Sequence, residues 1–219
     1  MHYRDKLHLI LGFSAGAVIG VAFFDLMPEA INLASVKYDT VLITSLMALG
    51  FIIYLLLDRF VATHTHNDEN CQNESHRGKL GAGSLSLHSF LDGMIIGLAF
   101  KVSVAVGAIV TIAVLVHDFS DGVNTVSMIL KNGGSRKQAL KWLLVDAVAP
   151  ILGVASTYLF TLKSATLGMI LALFCGFFIY IGASDLLPES HHRHPTYWTT
   201  VATIFGIVIL YVAIRIASL

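Results

Sequence analysis

Long apolar segments, separated by short polar ones, make up almost the whole chain of 219 residues. A bilayer core requires about 20 apolar residues per helix, and seven segments are long enough. The seven predicted transmembrane helices comprise residues 8–28, 40–58, 82–101, 104–130, 138–161, 166–188 and 197–217. The pattern therefore predicts an all-α, polytopic membrane protein whose residues 1–219 form one transmembrane domain embedded in a lipid bilayer.

The composition agrees with this fold class and excludes several functions. Hydrophobic residues are 56% of the chain and charged residues 13%, whereas soluble domains carry about 25% charged residues. The formal net charge is zero, so no nucleic-acid partner is expected. Cys71 and Cys175 form no CxxC motif, which indicates neither a disulfide framework nor a thiolate zinc site.

The distribution of Lys and Arg predicts the orientation. With seven helices, the N-terminus and the loops after helices two, four and six lie on one side, which holds ten of the 14 Lys and Arg residues. Basic residues favour the cytoplasmic side. We therefore expect a cell-membrane protein whose N-terminus and polar loop, about residues 61–81, are cytoplasmic.

Two segments of the chain repeat each other at an offset of 160 residues. Residues 10–30 and 170–190 share the pattern D-L-[ML]-P-E, which pairs Asp25 with Asp185 and Glu29 with Glu189. Five crossings separate the two segments, so they run in opposite directions, as in the inverted repeats of transporters. The acidic residues either receive and release an ion or are simply polar helix ends.

A second repeated motif places ionisable residues inside two apolar helices. "HSFLDG" contains His88 and Asp92, and "HDFSDG" contains His117 and Asp121. Residues four apart share one face of a helix. Both histidines are about 15 residues from the turn that joins these helices, which at 1.5 Å per residue is roughly 20 Å. The two copies should therefore meet near the middle of the membrane.

Ionisable groups in that position require a compensating interaction. An Asp at the centre of a membrane helix costs about 2.5–3.5 kcal/mol on insertion scales, and neighbouring carboxylates repel each other. Imidazole and carboxylate ligands suit Zn²⁺, Fe²⁺ or Mn²⁺, so we expect a metal site. A structural hydrogen-bond cluster and a proton relay without metal remain alternatives. Gly93 and Gly122 follow the aspartates and would let the two motif helices approach closely.

At these motifs the chain resembles the ZIP (zinc–iron permease) family. "HSFLDG" and "HDFSDG" resemble the paired motifs of that family's fourth and fifth helices, and residues 12–30 and 176–189 resemble its second and seventh. The resemblance implies import of divalent metal ions into the cytoplasm through a binuclear site, with no enzymatic activity, no catalytic cofactor and a possible homodimer. The family has eight helices with both termini outside, so the chain is expected to lack the first.

The resemblance also implies a ligand set, which is carried over position by position. The implied metal ligands are His88, Ser89, Asp92, His117, Asp118 and Asp121, with Asp146 as a further candidate. Ser89 stands where an Asn is common, and Ala149 stands where some members carry a Glu before the proline. Asp146 lies one turn earlier and would replace that Glu. The family's second helix often carries His where Asp25 stands. These departures concern the second metal position more than the first.

Two further interpretations stay open. A seven-span intramembrane zinc-dependent hydrolase is the alternative function, because Ser84 and His88 mimic the S-x-x-x-H motif of ceramidase-like enzymes. Such enzymes also need histidines in the final helix, and residues 197–217 contain none. The histidines of the polar loop (His64, His66 and His76) and of "HHRH" at 191–194 are either weak metal ligands or parts of solvated linkers.

Overall fold

The computed structural model describes residues 3–66, 74–191 and 197–217, and these residues contain helices and no strand. The helices are α1 (Tyr3–Val21), α2 (Met27–Ala34), α3 (Thr40–His66), α4 (Glu74–Val102), α5 (Val104–Lys131), α6 (Arg136–Ser156), α7 (Ser164–Tyr180), α8 (Leu187–His191) and α9 (Tyr197–Ala217). Two π-helical turns, Ala22–Leu26 and Ile181–Leu186, join α1 to α2 and α7 to α8.

Seven helical segments are long and apolar enough to cross a membrane, as the hydropathy pattern predicted. They are His8–Ala34, Thr40–Phe60, Gly78–Val102, Val104–Lys131, Arg136–Leu159, Ser164–Ser190 and Tyr197–Ile216. The all-α polytopic fold class is thereby confirmed. The first segment continues past Glu29 to Ala34, so the Asp25–Glu29 motif lies inside a helical segment and does not end it.

The predicted polar segment at 61–81 joins two spans, which end at Phe60 and begin at Gly78, but both of its ends are helical. Helix α3 continues to His66 and α4 begins at Glu74. Polar residues do not end a helix by themselves, because a helix satisfies its own backbone hydrogen bonds in water as well as in lipid. His64, His66 and His76 are therefore helical, whereas Cys71 and residues 192–194 lie outside the described residues.

The chain divides into two compact units. The first comprises residues 1–54, 98–117 and 162–219, and the second comprises residues 55–97 and 118–161. Helices α3, α4 and α5 each contribute to both units. That the chain forms one transmembrane domain stays a prediction.

In the first unit, α1 packs against α9 through small residues. A Cβ atom added to Gly16 would overlap the backbone carbonyl of Thr203, and one added to Gly206 would overlap that of Phe13. Helix α7 packs against α3 in the same way, since a Cβ at Gly176 would overlap the carbonyl of Met47. Close backbone approach of this kind is how apolar helices associate without a hydrophobic driving force.

The two π-helical turns occupy equivalent positions in the inverted repeat. In each copy a backbone N–H bonds the carbonyl five residues earlier, Met27 to Ala22 and Leu187 to Gly182. Proline follows directly in both cases, as Pro28 and Pro188. Proline lacks an N–H and its ring clashes with the carbonyl four residues earlier, so the preceding turn widens. The repeated D-L-[ML]-P-E pattern thus encodes a repeated backbone irregularity.

The second unit is held together by a close crossing of α4 and α6. A Cβ atom at Gly93 would overlap the carbonyl of Pro150, and one at Gly153 would overlap that of Phe90. A Cβ at Gly122 would lie 3.2 Å from the Leu143 side chain of α6. The expectation that Gly93 and Gly122 bring α4 and α5 together is therefore wrong, because both glycines face α6. Helix α6 itself continues through Pro150.

The close glycine contacts predict whether replacing a glycine by alanine stabilises or destabilises the fold. Alanine in a helix is normally about 1 kcal/mol more favourable than glycine. At Gly16 the overlap with Thr203 should reverse that sign, since overpacking typically costs about 1–3 kcal/mol. Gly83→Ala is the matched control, because its Cβ would lie 3.6 Å from Trp142. Thermal unfolding in detergent should show Gly16→Ala destabilised and Gly83→Ala unchanged or stabilised. An equal response of both variants would contradict the crossing.

Candidate metal centre

The buried face of α5 changes from apolar to polar at the motif. From Val110 onward its buried residues recur every three or four positions, with Ala113 and Val114 adjacent: Val110, Ala113, Val114, His117, Asp121, Thr125 and Ile129. This is the spacing of one helix face. Three polar side chains therefore lie where the rest of the helix carries core residues, and each of them is at most 6% exposed.

His88 of α4 contacts two carboxylates. Its Nε2 atom lies 3.1 Å from Oδ2 of Asp92, one turn later on the same helix, and 3.3 Å from Oδ2 of Asp121 on α5. All three side chains are less than 10% exposed. The Oδ2 atom of Asp121 makes no well-aligned hydrogen bond, so its contact with His88 is electrostatic. The motif spacing correctly predicted that α4 and α5 bring these groups together.

A second pair of carboxylates lies in the same unit. Asp92 and the half-buried Asp118 each offer an oxygen atom, and the two atoms lie within 4.8 Å of each other. Together with Asp121 they place three carboxyl groups along the α4 and α5 motifs. Like charges this close are unfavourable in a medium of low dielectric constant. The arrangement therefore calls for a cation, which is either a protonated imidazole or a metal ion.

Asp146 of α6 forms a separate hydrogen-bonded group with two hydroxyls. Ser89 donates to its Oδ1 atom at 2.9 Å, and Thr125 lies 3.5 Å from its Oδ2 atom. The three side chains are at most 5% exposed. Asp146 thus faces the α4 and α5 motifs, as the sequence suggested, but it accepts a hydrogen bond from the neighbouring candidate ligand Ser89.

The imidazole of His117 contacts residues of α5 and α7. Its Nδ1 atom lies 3.0 Å from the carbonyl of Ala113, and its ring packs edge-on against Phe178 at 6.1 Å. A carbonyl only accepts hydrogen bonds, so Nδ1 is the donor in this contact, and in the neutral imidazole the lone pair is then on Nε2. The Ser14 hydroxyl donates to the adjacent carbonyl of Val116 at 2.9 Å. His117 therefore has a fixed ring orientation, one turn before Asp121 on the same helix.

Sequence reasoning missed Thr125. Of the neighbouring polar residues of α5, Asn124 is exposed and Ser127 is half-buried. Thr125 is fully buried because it follows Asp121 by four residues and so continues the same face. That spacing was the available signal. Threonine is common in apolar helices, however, and does not stand out there.

These features define a multi-pass α-helical membrane protein with a buried cluster of histidine and carboxylate side chains. The family model described as "ZIP Zinc transporter" matches residues 82–213, which is more than half of the chain. The chain therefore belongs to the ZIP zinc transporter family, and the resemblance inferred from the motifs is confirmed.

Several curated proteins are similar to the chain over about half of its length. "Zinc transporter foi" of Drosophila melanogaster is 30% identical over 122 residues, which are 56% of this chain and 17% of that protein. "Zinc transporter SLC39A7" of Mus musculus is 30% identical over 120 residues, 51% of this chain and 25% of that protein. "Zinc transporter ZIP6" of Homo sapiens is 32% identical over 108 residues, 49% and 14% respectively. The chain thus covers a quarter or less of the length of these relatives, and none of them supports the hydrolase alternative.

The Ser89–Asp146 hydrogen bond predicts a stability effect that does not depend on metal. Ser89→Ala removes the donor and leaves a buried carboxylate oxygen without its partner, which typically costs about 1–3 kcal/mol. The matched control is Ser45→Ala, because Ser45 is exposed and bonds only its own helix. Thermal unfolding in detergent with a metal chelator should show a lower midpoint for Ser89→Ala alone. An unchanged midpoint would mean that the hydrogen bond adds no stability.

Proposed function

We propose that the protein carries divalent metal ions across the membrane and into the cytoplasm, zinc first and Fe²⁺ or Mn²⁺ as further substrates. Membership of the ZIP family supports metal transport, and the relatives named above are called zinc transporters. The observation that carries the proposal is the buried contact of His88 with Asp92 and Asp121. A bound divalent cation would compensate the charges of the two carboxylates in this apolar surrounding.

The distances within this contact support shared coordination of one ion. Zinc is bound by imidazole nitrogen and carboxylate oxygen at about 2.0–2.2 Å with tetrahedral geometry. Two such ligand atoms on one ion are about 3.3 Å apart by the same geometry. The His88 nitrogen lies 3.1 and 3.3 Å from the two carboxylate oxygens. Zinc binding would therefore need little movement of these side chains.

The remaining candidate ligands complete the proposed site. His117 lies on the same face of α5 as Asp121, and the bond from its Nδ1 to Ala113 would leave Nε2 for the metal. Such an outer hydrogen bond orients and strengthens a histidine ligand. Asp118 adds a carboxylate within 4.8 Å of that of Asp92. We assign the first metal position to this group of imidazoles and carboxylates.

A second metal position, at Ser89 and Asp146, is expected to be weaker. A hydroxyl is a poorer ligand than an amide or carboxylate oxygen, and Ser89 already donates its proton to Asp146 at 2.9 Å. A metal bound to Asp146 would have to replace that hydrogen bond. The chain is therefore proposed to hold one ion firmly and to bind a second with lower affinity.

The direction of transport follows from the proposed orientation. The side rich in Lys and Arg should be cytoplasmic. Because the repeat is inverted, similar helices are oriented towards opposite faces of the membrane. Metal entering from outside would lose most of its water and bind between the α4 and α5 motifs. Cytosolic chelation would then keep the gradient directed inward.

Metal uptake by single and double variants tests the proposed site. His88→Ala and Asp121→Ala remove ligands from different helices, and each should abolish most Zn²⁺ uptake into cells or liposomes. The double variant should be little worse than either single variant, because residues that act as a unit are not additive.

Two neighbouring variants serve as controls for this uptake measurement. Leu87→Ala and Asn124→Ala alter exposed side chains on the same two helices and should retain uptake. Wild-type uptake by both site variants, with folded protein present in normal amounts, would overturn the metal site and leave a structural hydrogen-bond cluster as the better account.

Labelling of cysteine in intact cells tests the orientation. Cys175 is fully buried, so an impermeant thiol reagent should report on Cys71 alone. If residues 61–81 are cytoplasmic, Cys71 should react only after the membrane is permeabilised, and Cys71→Ser should remove the signal. Labelling of Cys71 from outside would reverse the proposed orientation and the direction of import.

A further inference from the structure

Three contacts in the first compact unit restrain His117, one of the proposed metal ligands. The imidazole is completely buried, and His117 lies in this unit together with α1 and α7. A histidine side chain has two torsion angles, and the second of them is broadly distributed. Without neighbours the ring would therefore present its Nε2 atom in several directions. The contacts decide which of these directions is kept.

Two of the contacts act on the ring itself. The Nδ1 atom donates to the carbonyl of Ala113 at 3.0 Å. Phe178 of α7 lies nearly perpendicular to the imidazole, with 87° between the ring planes and 6.1 Å between the ring centroids, which is the edge-to-face geometry that aromatic rings favour. Phe178 is also completely buried, so it cannot move aside without disturbing close-packed neighbours. The two contacts together therefore oppose rotation of the imidazole.

The third contact acts on the backbone of His117. The hydroxyl of Ser14 on α1 donates to the carbonyl of Val116 at 2.9 Å. This carbonyl and the N–H of His117 belong to the same planar peptide unit. Ser14 is completely buried, and a hydrogen bond sheltered from water is electrostatically stronger than an exposed one. The backbone from which the imidazole projects is thus tied to α1.

Ser14 and Phe178 belong to opposite copies of the inverted repeat. The offset of 160 residues pairs Ser14 with Phe174 and Val18 with Phe178. All four residues are buried, but the members of each pair differ in chemistry. Each copy therefore contributes one residue to the surroundings of His117, from a position at which the two copies differ. Phe174 offers a matched control for Phe178, because both are buried phenylalanines of α7.

We propose that Ser14 and Phe178 are positioning residues that hold His117 in its metal-binding orientation and thereby favour zinc at the first metal position. A ligand that is already oriented loses little freedom when the ion binds. Nitrogen ligands suit zinc, whereas Mn²⁺ prefers oxygen ligands, so a loosened His117 should weaken zinc binding more than Mn²⁺ binding. The inference rests on the proposed function, in which His117 is a zinc ligand.

The test measures the equilibrium affinity of the full chain in detergent for Zn²⁺, by competition with a chromophoric chelator, and for Mn²⁺, by electron paramagnetic resonance of the free ion. Residues that orient a histidine ligand typically contribute about 10–100-fold in metal affinity. Phe178→Leu should therefore weaken zinc binding by roughly 10-fold and Mn²⁺ binding much less.

The control variant Phe174→Leu makes the same chemical change on the same helix. Phe174 is 6% exposed, and its ring packs against Phe177. Its replacement should leave both metal affinities close to those of the wild type. Unchanged zinc affinity in Phe178→Leu, an equal loss of zinc affinity in Phe174→Leu, or equal weakening of both metals in Phe178→Leu would each overturn the proposal.

A double-mutant cycle tests whether Phe178 acts through His117. His117→Ala removes the proposed ligand and should itself weaken zinc binding. In that background Phe178→Leu should cause no further loss, because residues that act through each other are not additive. A second loss as large as the first would overturn the positioning role. Wild-type zinc affinity in His117→Ala would instead overturn the assignment of His117 as a ligand, and the positioning role with it.

A milder variant keeps the proposal testable if Phe178→Leu does not fold. Ser14→Ala removes the hydroxyl alone and releases the peptide unit before His117 from α1. It should weaken zinc binding more than Mn²⁺ binding, and the effect should vanish in the His117→Ala background. Unchanged zinc affinity in Ser14→Ala, or an equal loss in both backgrounds, would overturn the proposal.

Discussion

The cost of an uncompensated charge away from water is the constraint on which the rest of the structure depends. Asp92 and Asp121 are almost completely buried, and each of them contacts the imidazole of His88. In water such a pair would add little stability, but in an apolar helix bundle it decides whether the groups are tolerated at all. The packing of α4 and α5 therefore has to keep both carboxylates close to the imidazole of His88, at 3.1 and 3.3 Å.

Glycine supplies the close packing that this arrangement needs. Helix α4 presents Gly93 directly after Asp92, and its backbone approaches that of Pro150 on α6 so closely that a Cβ atom would overlap it. The approach brings Asp146 of α6 within hydrogen-bond reach of Ser89. Gly93, which follows Asp92 of the motif, thus allows α6 to pack close to the polar cluster. A larger residue there would separate α6 from the site as well as destabilise the fold.

Sequence reasoning succeeded where one helix determines the outcome and failed where two helices must meet. The seven spans and the pairing of His88 with Asp121 follow from apolar length and from spacing along single helices. The partner of Gly93 depends on which helix lies opposite, and spacing does not encode that. The helical ends of the 61–81 segment were missed because hydropathy reports lipid contact rather than helix length. Asp146 was found through its distance from Pro150, but its bond with Ser89 required the folded structure.

The two copies of the inverted repeat have similar backbones but different side chains at equivalent positions. Cys175 of the second copy donates a hydrogen bond at 3.3 Å to the carbonyl of Ala22, which lies in the π-helical turn of the first copy. At the repeat-related position Ala15 lies near Gly182, and the side chain of alanine has no hydrogen-bond donor. The two repeat-related aspartates also differ in exposure, since Asp25 is buried and Asp185 is exposed. In a carrier, similar backbones with different side chains would give the two membrane faces different apparent affinities for the ion, while the gradient sets the direction of net transport.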